Sequence, residues 1–187
     1  MELFFREYGE PAKPPLIVFH GLLGSSRNWQ AAGTDLGRFF RVYCLDLRNH
    51  GKSPHAFPHS YRAMMNDVFR WMDVQGLGSS HFLGHSMGGK LAMKIACERS
   101  ERLRSLVVVD IAPKRYPNSH DSEYEAMRLI DLSALPSRMA ADRFLADAVP
   151  DRGKRQFLLT NLAKREDGNG FRWIVNLDAL EKNQREI

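Results

Sequence analysis

Residues 84–89, Gly84-His85-Ser86-Met87-Gly88-Gly89, carry the sharpest chemical signal in the chain. They match G-x-S-x-G and lie between His81-Phe82-Leu83, which reads as a strand, and Met87 to Glu98, which reads as a helix. Strand, turn and helix are the context that this pattern needs. A serine on so tight a turn has a strained backbone that lifts its hydroxyl clear of the sheet. Gly84 and Gly88 lack the Cβ atoms that would collide where strand and helix close on each other. The Met87 N–H, at the start of the helix, then points at an oxyanion developing beside Ser86. The chemistry implied is nucleophilic catalysis.

A second glycine-rich turn, His20-Gly21-Leu22-Leu23-Gly24-Ser25, follows the apolar run Leu16-Ile17-Val18-Phe19. Such a turn can aim a backbone N–H, that of Leu22, at the same oxyanion, and two donors from two turns make an oxyanion hole. Asp110 ends a further apolar run, Val107-Val108-Val109. Catalytic groups gather at the carboxyl ends of parallel strands, so Asp110 reads as a catalytic acid or as a turn-forming aspartate. Asp46 also ends a strand, and with Arg48 and Ser53 it reads as organising a loop. Two competing chemistries fail on residue type. Gly84 to Lys90 spells G-x-x-x-x-G-K, but a phosphate loop next needs Ser or Thr for Mg²⁺, and Leu91 has no ligand atom. His55 and His59 are spaced as a helical metal pair, but Pro58 lies between them.

These turns need buried strands and helices to hold them, and the sequence alternates the two. Glu2 to Tyr8 reads as a first strand. Leu16 to Phe19 and Phe40 to Leu45 read as strands buried on both faces. Trp29 to Phe39 reads as a helix. Ser60 caps a longer one in which Tyr61, Met64, Met65, Val68, Phe69 and Met72 share a face, and Gly76 ends it. Leu106 to Val109 is the last strand of this series. The alternation predicts an α/β fold, a mostly parallel sheet flanked by helices. After Pro113 the pattern changes. Residues 122–165 read as helical with breaks at Pro136 and Pro150, and Phe171 to Val175 as a short strand or the start of a last helix. The organisation expected is a core over 1–113 and a helical cap over 114–187. The cap's large apolar residues, such as Tyr116, Tyr124, Met127, Phe144 and Phe171, either wall an acyl pocket or hold the helices together.

The 187 residues are 43% apolar and 26% charged, which is ordinary globular usage on a chain long enough to bury a core. Disorder, collagen and coiled coil are excluded. No apolar run approaches the roughly 18 residues of a membrane span. Glu2 and Arg6 stand too early for a secretory leader, so the expected compartment is the cytoplasm. The net charge of +5 comes from scattered basic residues, which argues against nucleic acid as a partner. Cys44 and Cys97 lack metal spacing and read as small core thiols.

The two glycine-rich turns, Asp46-Leu47-Arg48-Asn49-His50-Gly51-Lys52-Ser53 and Asp110-Ile111-Ala112-Pro113 together resemble the α/β-hydrolase fold, and within it the small YbfF-type serine esterases. The resemblance is densest between residues 15 and 113. It implies hydrolysis of a small-molecule carboxylic ester by a Ser–His–Asp triad, with no cofactor and no metal. It also implies Asp110 as the acid, because the family's acid follows this strand. Epoxide hydrolases and dehalogenases of similar fold carry a carboxylate nucleophile where Ser86 stands. A serine there implies an acyl-enzyme formed from an ester or thioester.

The same resemblance implies a histidine after the last strand, in a Gly-His turn. No such turn follows Asp110; only His120 does, ten residues on, at the entry to the cap. His85 adjoins Ser86, but neighbouring side chains on so sharp a turn point apart, so it reads as packed or loop-facing. His20 reads as organising the Leu22 turn. Two further strand–helix units, roughly 60 residues, would complete the sheet. The expectation is a truncated hydrolase core whose last two strands are absent. Leu106 to Val109 is then an apolar sheet edge open to self-association. Two functions stay open: a serine carboxylesterase or thioesterase without its base, and a non-catalytic relative that binds a small molecule or partner.

Overall fold

The computed structural model describes residues 1–116 and 120–183. Five apolar runs become strands: β1 (Phe5–Tyr8), β2 (Pro15–Phe19), β3 (Arg41–Leu45), β4 (Ser80–His85) and β5 (Leu103–Val109). They form one sheet in the order β1-β3-β2-β4-β5. Every neighbour pair is parallel except β1 with β3. The central strands are the unbroken apolar ones. Leu16 to Phe19 and Val42 to Leu45 are buried on both faces, as expected of strands covered by helices on each side. β5 closes one edge, and Val107 and Val109 are exposed there. It starts at Leu103 rather than Leu106 because pairing with β4 extends back to Ser80. β1 is shorter than its apolar stretch, since Leu3 is buried ahead of its first paired residue, Phe5.

Helices α1 (Gln30–Leu36), α2 (Tyr61–Val74) and α3 (Met87–Glu98) connect the strands. The Ser60 hydroxyl accepts from the Ala63 amide at 3.3 Å and caps α2. Gly76, at φ +68°, terminates the helix region. The expected face of α2 is buried from Met64 to Met72, and Trp71 joins it. Each such side chain stabilises by about 1.5–3 kcal/mol when removed from water. α3 buries Leu91, Ala92 and Ile95, whereas Cys97 falls off that stripe and is exposed. Cys97 is therefore a surface thiol, not the core residue its apolar neighbours suggested; Cys44 is buried as expected.

Beyond β5 the chain builds α4 (Asp121–Arg128), α5 (Arg138–Leu145), α6 (Arg152–Leu159), β6 (Leu162–Lys164), β7 (Phe171–Trp173) and α7 (Leu177–Lys182). The cap range expected from sequence, 114–187, includes residues 117–119 and 184–187, which lie outside the described residues. Helix does not continue to 165. The chain leaves α6 at Thr160, and residues 162–164 pair antiparallel with β7 as a hairpin. The helical spacing misleads at Leu162, which is apolar because it enters the cap's own core beside Leu145 and Leu159; Phe171 joins the same core and opens the short strand that was one of the two readings of 171–175. Tyr124, Met127 and Leu158 are likewise buried among cap residues, so these hold the helices together. Tyr116 and Phe144 are exposed. No helix among the described residues is long and apolar enough to cross a membrane.

Two asparagines of the cap bond to the loops at the ends of β2 and β3. Asn161 is buried and donates from Nδ2 to the Leu23 carbonyl at 2.8 Å. Asn176 donates its backbone N–H to the Asn49 carbonyl at 2.9 Å and its side-chain amide to Asn49 Oδ1 at 3.2 Å. Asn161→Ala strands the buried Leu23 carbonyl without its donor. A loss of about 1–3 kcal/mol in urea-unfolding stability is expected; an unchanged midpoint would show that the seam does not depend on this bond.

Candidate active site

Ser86 sits between β4 and α3 at φ +51° and ψ −119°, a conformation that side-chain-bearing residues avoid. Two bonds hold it there. Its amide donates to the Val109 carbonyl at the end of β5 (3.0 Å), and its carbonyl accepts from the Lys90 amide (3.0 Å). The glycines are required by contact. A Cβ on Gly84 would lie 2.3 Å from the Gly88 carbonyl oxygen. One on Gly88 would lie 2.5 Å from the Phe19 carbonyl oxygen and 2.6 Å from that of His20. α3 therefore starts directly against the end of β2, where the His20 turn begins. Met87 is the first residue of α3, so its amide has no acceptor within the helix.

The His20–Ser25 turn lies against the Ser86 turn. A Cβ on Gly21 would be 3.2 Å from Ser86 Cβ and 2.8 Å from His85 Nδ1. The turn closes through the Gly24 amide on the Gly21 carbonyl at 3.0 Å. Leu23 takes φ +59°. Its amide donates to His50 Nε2 at 3.2 Å, its carbonyl accepts from Asn161, and its side chain is part of the cap core. Among the described residues the Leu22 amide has no backbone acceptor. Leu22 itself packs against both the sheet core and the cap core.

Two buried imidazoles fix this loop. His20 Nε2 accepts from the Leu47 amide at 3.0 Å, so its Nδ1 carries the proton and donates to the Gly21 carbonyl at 2.8 Å. His50 repeats the pattern, accepting from Leu23 and donating from Nδ1 to the Arg48 carbonyl at 3.0 Å. A neutral ring is the only form that can do both. Burial pushes both pKa values down, that of His50 well below the ordinary histidine range; for His50 the neighbouring imidazoles add to it. His59, also buried, is lowered to about 4 by burial and by the nearby Arg48 charge. Asp46 accepts from the Ser26 amide at 2.6 Å and the Lys52 amide at 2.8 Å, and its carbonyl accepts from the Ser53 hydroxyl. Arg48 pairs with buried Asp67, Nε to Oδ2 at 2.6 Å. Asp46, Arg48 and Ser53 thus organise the loop after β3, as their positions suggested.

Asp110 follows β5 at φ +56° with an exposed side chain. Its Oδ2 lies 3.6 Å from His85 Nε2. The sequence alone reads His85 as packed or loop-facing; the structure instead sets it beside Asp110. The pairing of β4 with β5 produces this contact: His85 is in register with Val109, so the residues at both strand ends share one edge. His120 is elsewhere in role. It precedes α4, with Nδ1 at 3.8 Å from the buried carboxylate of Glu123. His55 donates to the Ile174 carbonyl, and His81 lies 2.7 Å from the Ser105 hydroxyl. Ser86, Met87 and the Leu22 turn are thus brought together, with Asp110 and His85 beside each other. Among the described residues no group of three or more His, Cys, Asp or Glu side chains could hold a metal ion.

A sharp serine turn between a parallel strand and a helix, faced by a second glycine turn, defines a class of protein, and comparison agrees. The alpha/beta hydrolase fold family model matches residues 14–170, and the chain belongs to that family. Within it the chain is related to esterases and lipases. It is 39% identical to the mouse sn-1-specific diacylglycerol lipase ABHD11 over 96% of this chain and 60% of that protein. It is 34% identical to the Escherichia coli esterase YbfF over 89% of this chain and 63% of that protein. The solved structure of a marine microorganism esterase, 40% identical, superposes with a TM-score of 0.93 over 97% of this chain and 71% of its own. The chain thus spans about 60% of the length of the mouse lipase.

The buried neutral imidazoles have a measurable consequence. An unfolded histidine binds a proton below its ordinary value of 6.5, whereas folded His59 does so only near 4. Stability present at neutral pH is therefore lost as pH falls from 6.5 toward 4, with a slope of up to about 1.4 kcal/mol per pH unit for each such ring. Urea midpoints at pH 7.5, 6 and 5 should decline in that order; a constant midpoint would contradict the neutral assignment.

Proposed function

We propose that this chain carries the acylation half of a serine carboxylesterase acting on small acyl esters. What supports the reading most is the Ser86 turn, strained and glycine-bounded, with the Gly21 turn packed directly against it. Ser86 Oγ attacks the ester carbonyl and forms the acyl bond. The Leu22 and Met87 amides take the oxyanion charge, each such donor contributing about 2.7–4 kcal/mol in comparable sites. The Ser86 proton passes to an imidazole and then to the departing alcohol; water later cleaves the acyl-serine by the reverse relay.

Asp110 serves as the acid that orients that imidazole. The base itself is assigned to a segment outside residues 1–187. His20 and His50 are committed through both ring nitrogens to backbone groups. His120 is held toward Glu123. His85 lies between Asp110 and the Gly21 turn, but among the described residues no hydrogen bond joins its ring to the Ser86 hydroxyl. The lipase and esterase relatives extend beyond the matched region, which leaves room for such a segment.

Two measurements separate the parts of this reading. Hydrolysis of p-nitrophenyl butyrate by the 187-residue chain should be slow and should fall at least tenfold in Ser86→Ala; equal rates would defeat the nucleophile assignment. His85→Ala and His120→Ala should keep the parent rate within a few-fold. Losing a working general base costs roughly 100-fold or more, so a drop of that size in either variant would place the base inside this chain.

A further inference from the structure

We propose that the seam between the turn after Gly24 and cap helices α5 and α6 is a binding site for a phosphate monoester, held by three arginines. A cleft of about 520 Å³ opens there. Arg27 and Asn28 of the turn line one side; Arg138, Asp142, Arg152 and Gln156 of the cap line the other. Three guanidinium groups thus face one carboxylate, and that carboxylate is already satisfied. Asp142 Oδ1 accepts from Arg155 Nε at 3.0 Å and from Gln156 Nε2 at 2.9 Å. Among the described residues, none of Arg27, Arg138 and Arg152 has a carboxylate partner within salt-bridge distance.

Arg138 is the anchor. It gives one N–H group to the Leu159 carbonyl and another to the Leu162 carbonyl, which orients its planar fork and leaves other donors free. Burial, and then the charge of Arg27, push its pKa down. Three like charges gathered around a single carboxylate that is already paired with Arg155 keep a net positive charge and repel one another. A phosphate dianion removes that repulsion and matches the guanidinium fork with paired oxygens, geometry that a lysine-lined surface would not offer. The volume admits a phosphate with a compact alcohol attached.

The site is coupled to the Ser86 region by the chain itself. Thr160 lines the cleft, and the next residue, Asn161, holds the Leu23 carbonyl. On the other side Arg27 follows Ser26, whose amide is fixed by Asp46. A ligand gripped by Arg27 and by Arg138 and Arg152 ties the loop carrying Leu22 to the cap. Binding here does not rest on the esterase reading, because no residue of the cleft belongs to the Ser86 turn.

Isothermal titration of inorganic phosphate, then glycerol 3-phosphate, into the 187-residue chain at constant ionic strength tests this. Saturable binding is expected, unchanged in Ser86→Ala and at least tenfold weaker in Arg27→Ala and in Arg152→Ala. Both arginines are exposed, and their removal leaves no buried group unpaired. Far-ultraviolet circular dichroism confirms that the variants are folded. Vesicles containing phosphatidic acid form a separate arm. Arg27-dependent capture of vesicles, without binding of glycerol 3-phosphate, would assign the same site to a lipid headgroup. Absence of saturable binding in all arms, or equal affinity in the arginine variants, would overturn the site.

Discussion

One close approach governs this structure: the first turn of α3 against the end of β2, with no side chain between them. The space at Gly88 is so narrow that a methyl group would lie 2.5 Å from the Phe19 carbonyl oxygen. Because these backbones touch, the start of α3 and the turn after β2 share one corner of the sheet. Ser86 must then cross from strand to helix within a single residue, which forces its positive φ. Such strain costs about 1–3 kcal/mol and persists only where the surroundings over-determine it. Here the Val109 carbonyl and the Lys90 amide do so.

The loop opposite Ser86 is held by polar contacts that carry no charge. His20 and His50 each accept one backbone N–H and donate to one backbone carbonyl. Charged rings would lose the acceptor. Burial keeps them neutral, so rigidity of the loop and depression of these pKa values have one cause. Leu23 extends the arrangement outward. Its amide belongs to the sheet's loop system, its carbonyl to Asn161 and its side chain to the cap core. Cap and loop are consequently one mechanical unit, and a movement of either must displace Leu23.

This coupling gives the cap two surfaces of different character. Its inner apolar residues are spent on mutual packing and on Leu22 and Leu23. Its seam with the turn after Gly24 is instead rich in arginine. The exposed strand β5 and exposed Asp110 lie on the opposite side of β4 from β2. The Ser86 turn therefore stands between a side already enclosed by the cap and a side where the described sheet ends.

Much of this was written in local sequence, because local physics decides it. Helix α3 starts and stops where Met87 and Glu98 suggested, and α2 takes the cap and face read from Ser60 and the methionine spacing. The buried strands follow from unbroken apolar runs, and the two glycine turns from the steric demands of strand–helix junctions. Other features depend on partners distant in sequence. Strand β6 was hidden because Leu162 serves a core that periodicity alone cannot distinguish from a helix face, whereas a short strand at Phe171 was one of two legible readings. Exposure of Cys97 depends on which stripe of α3 meets the sheet. The tautomers of His20 and His50 depend on amides 27 residues away along the chain. The contact of His85 with Asp110 required two parallel strands to end in register. Sequence determined the turns, since their geometry is a property of a few consecutive residues; tertiary structure decided which charged and polar groups those turns face, since that is set by strand order and by where the cap docks.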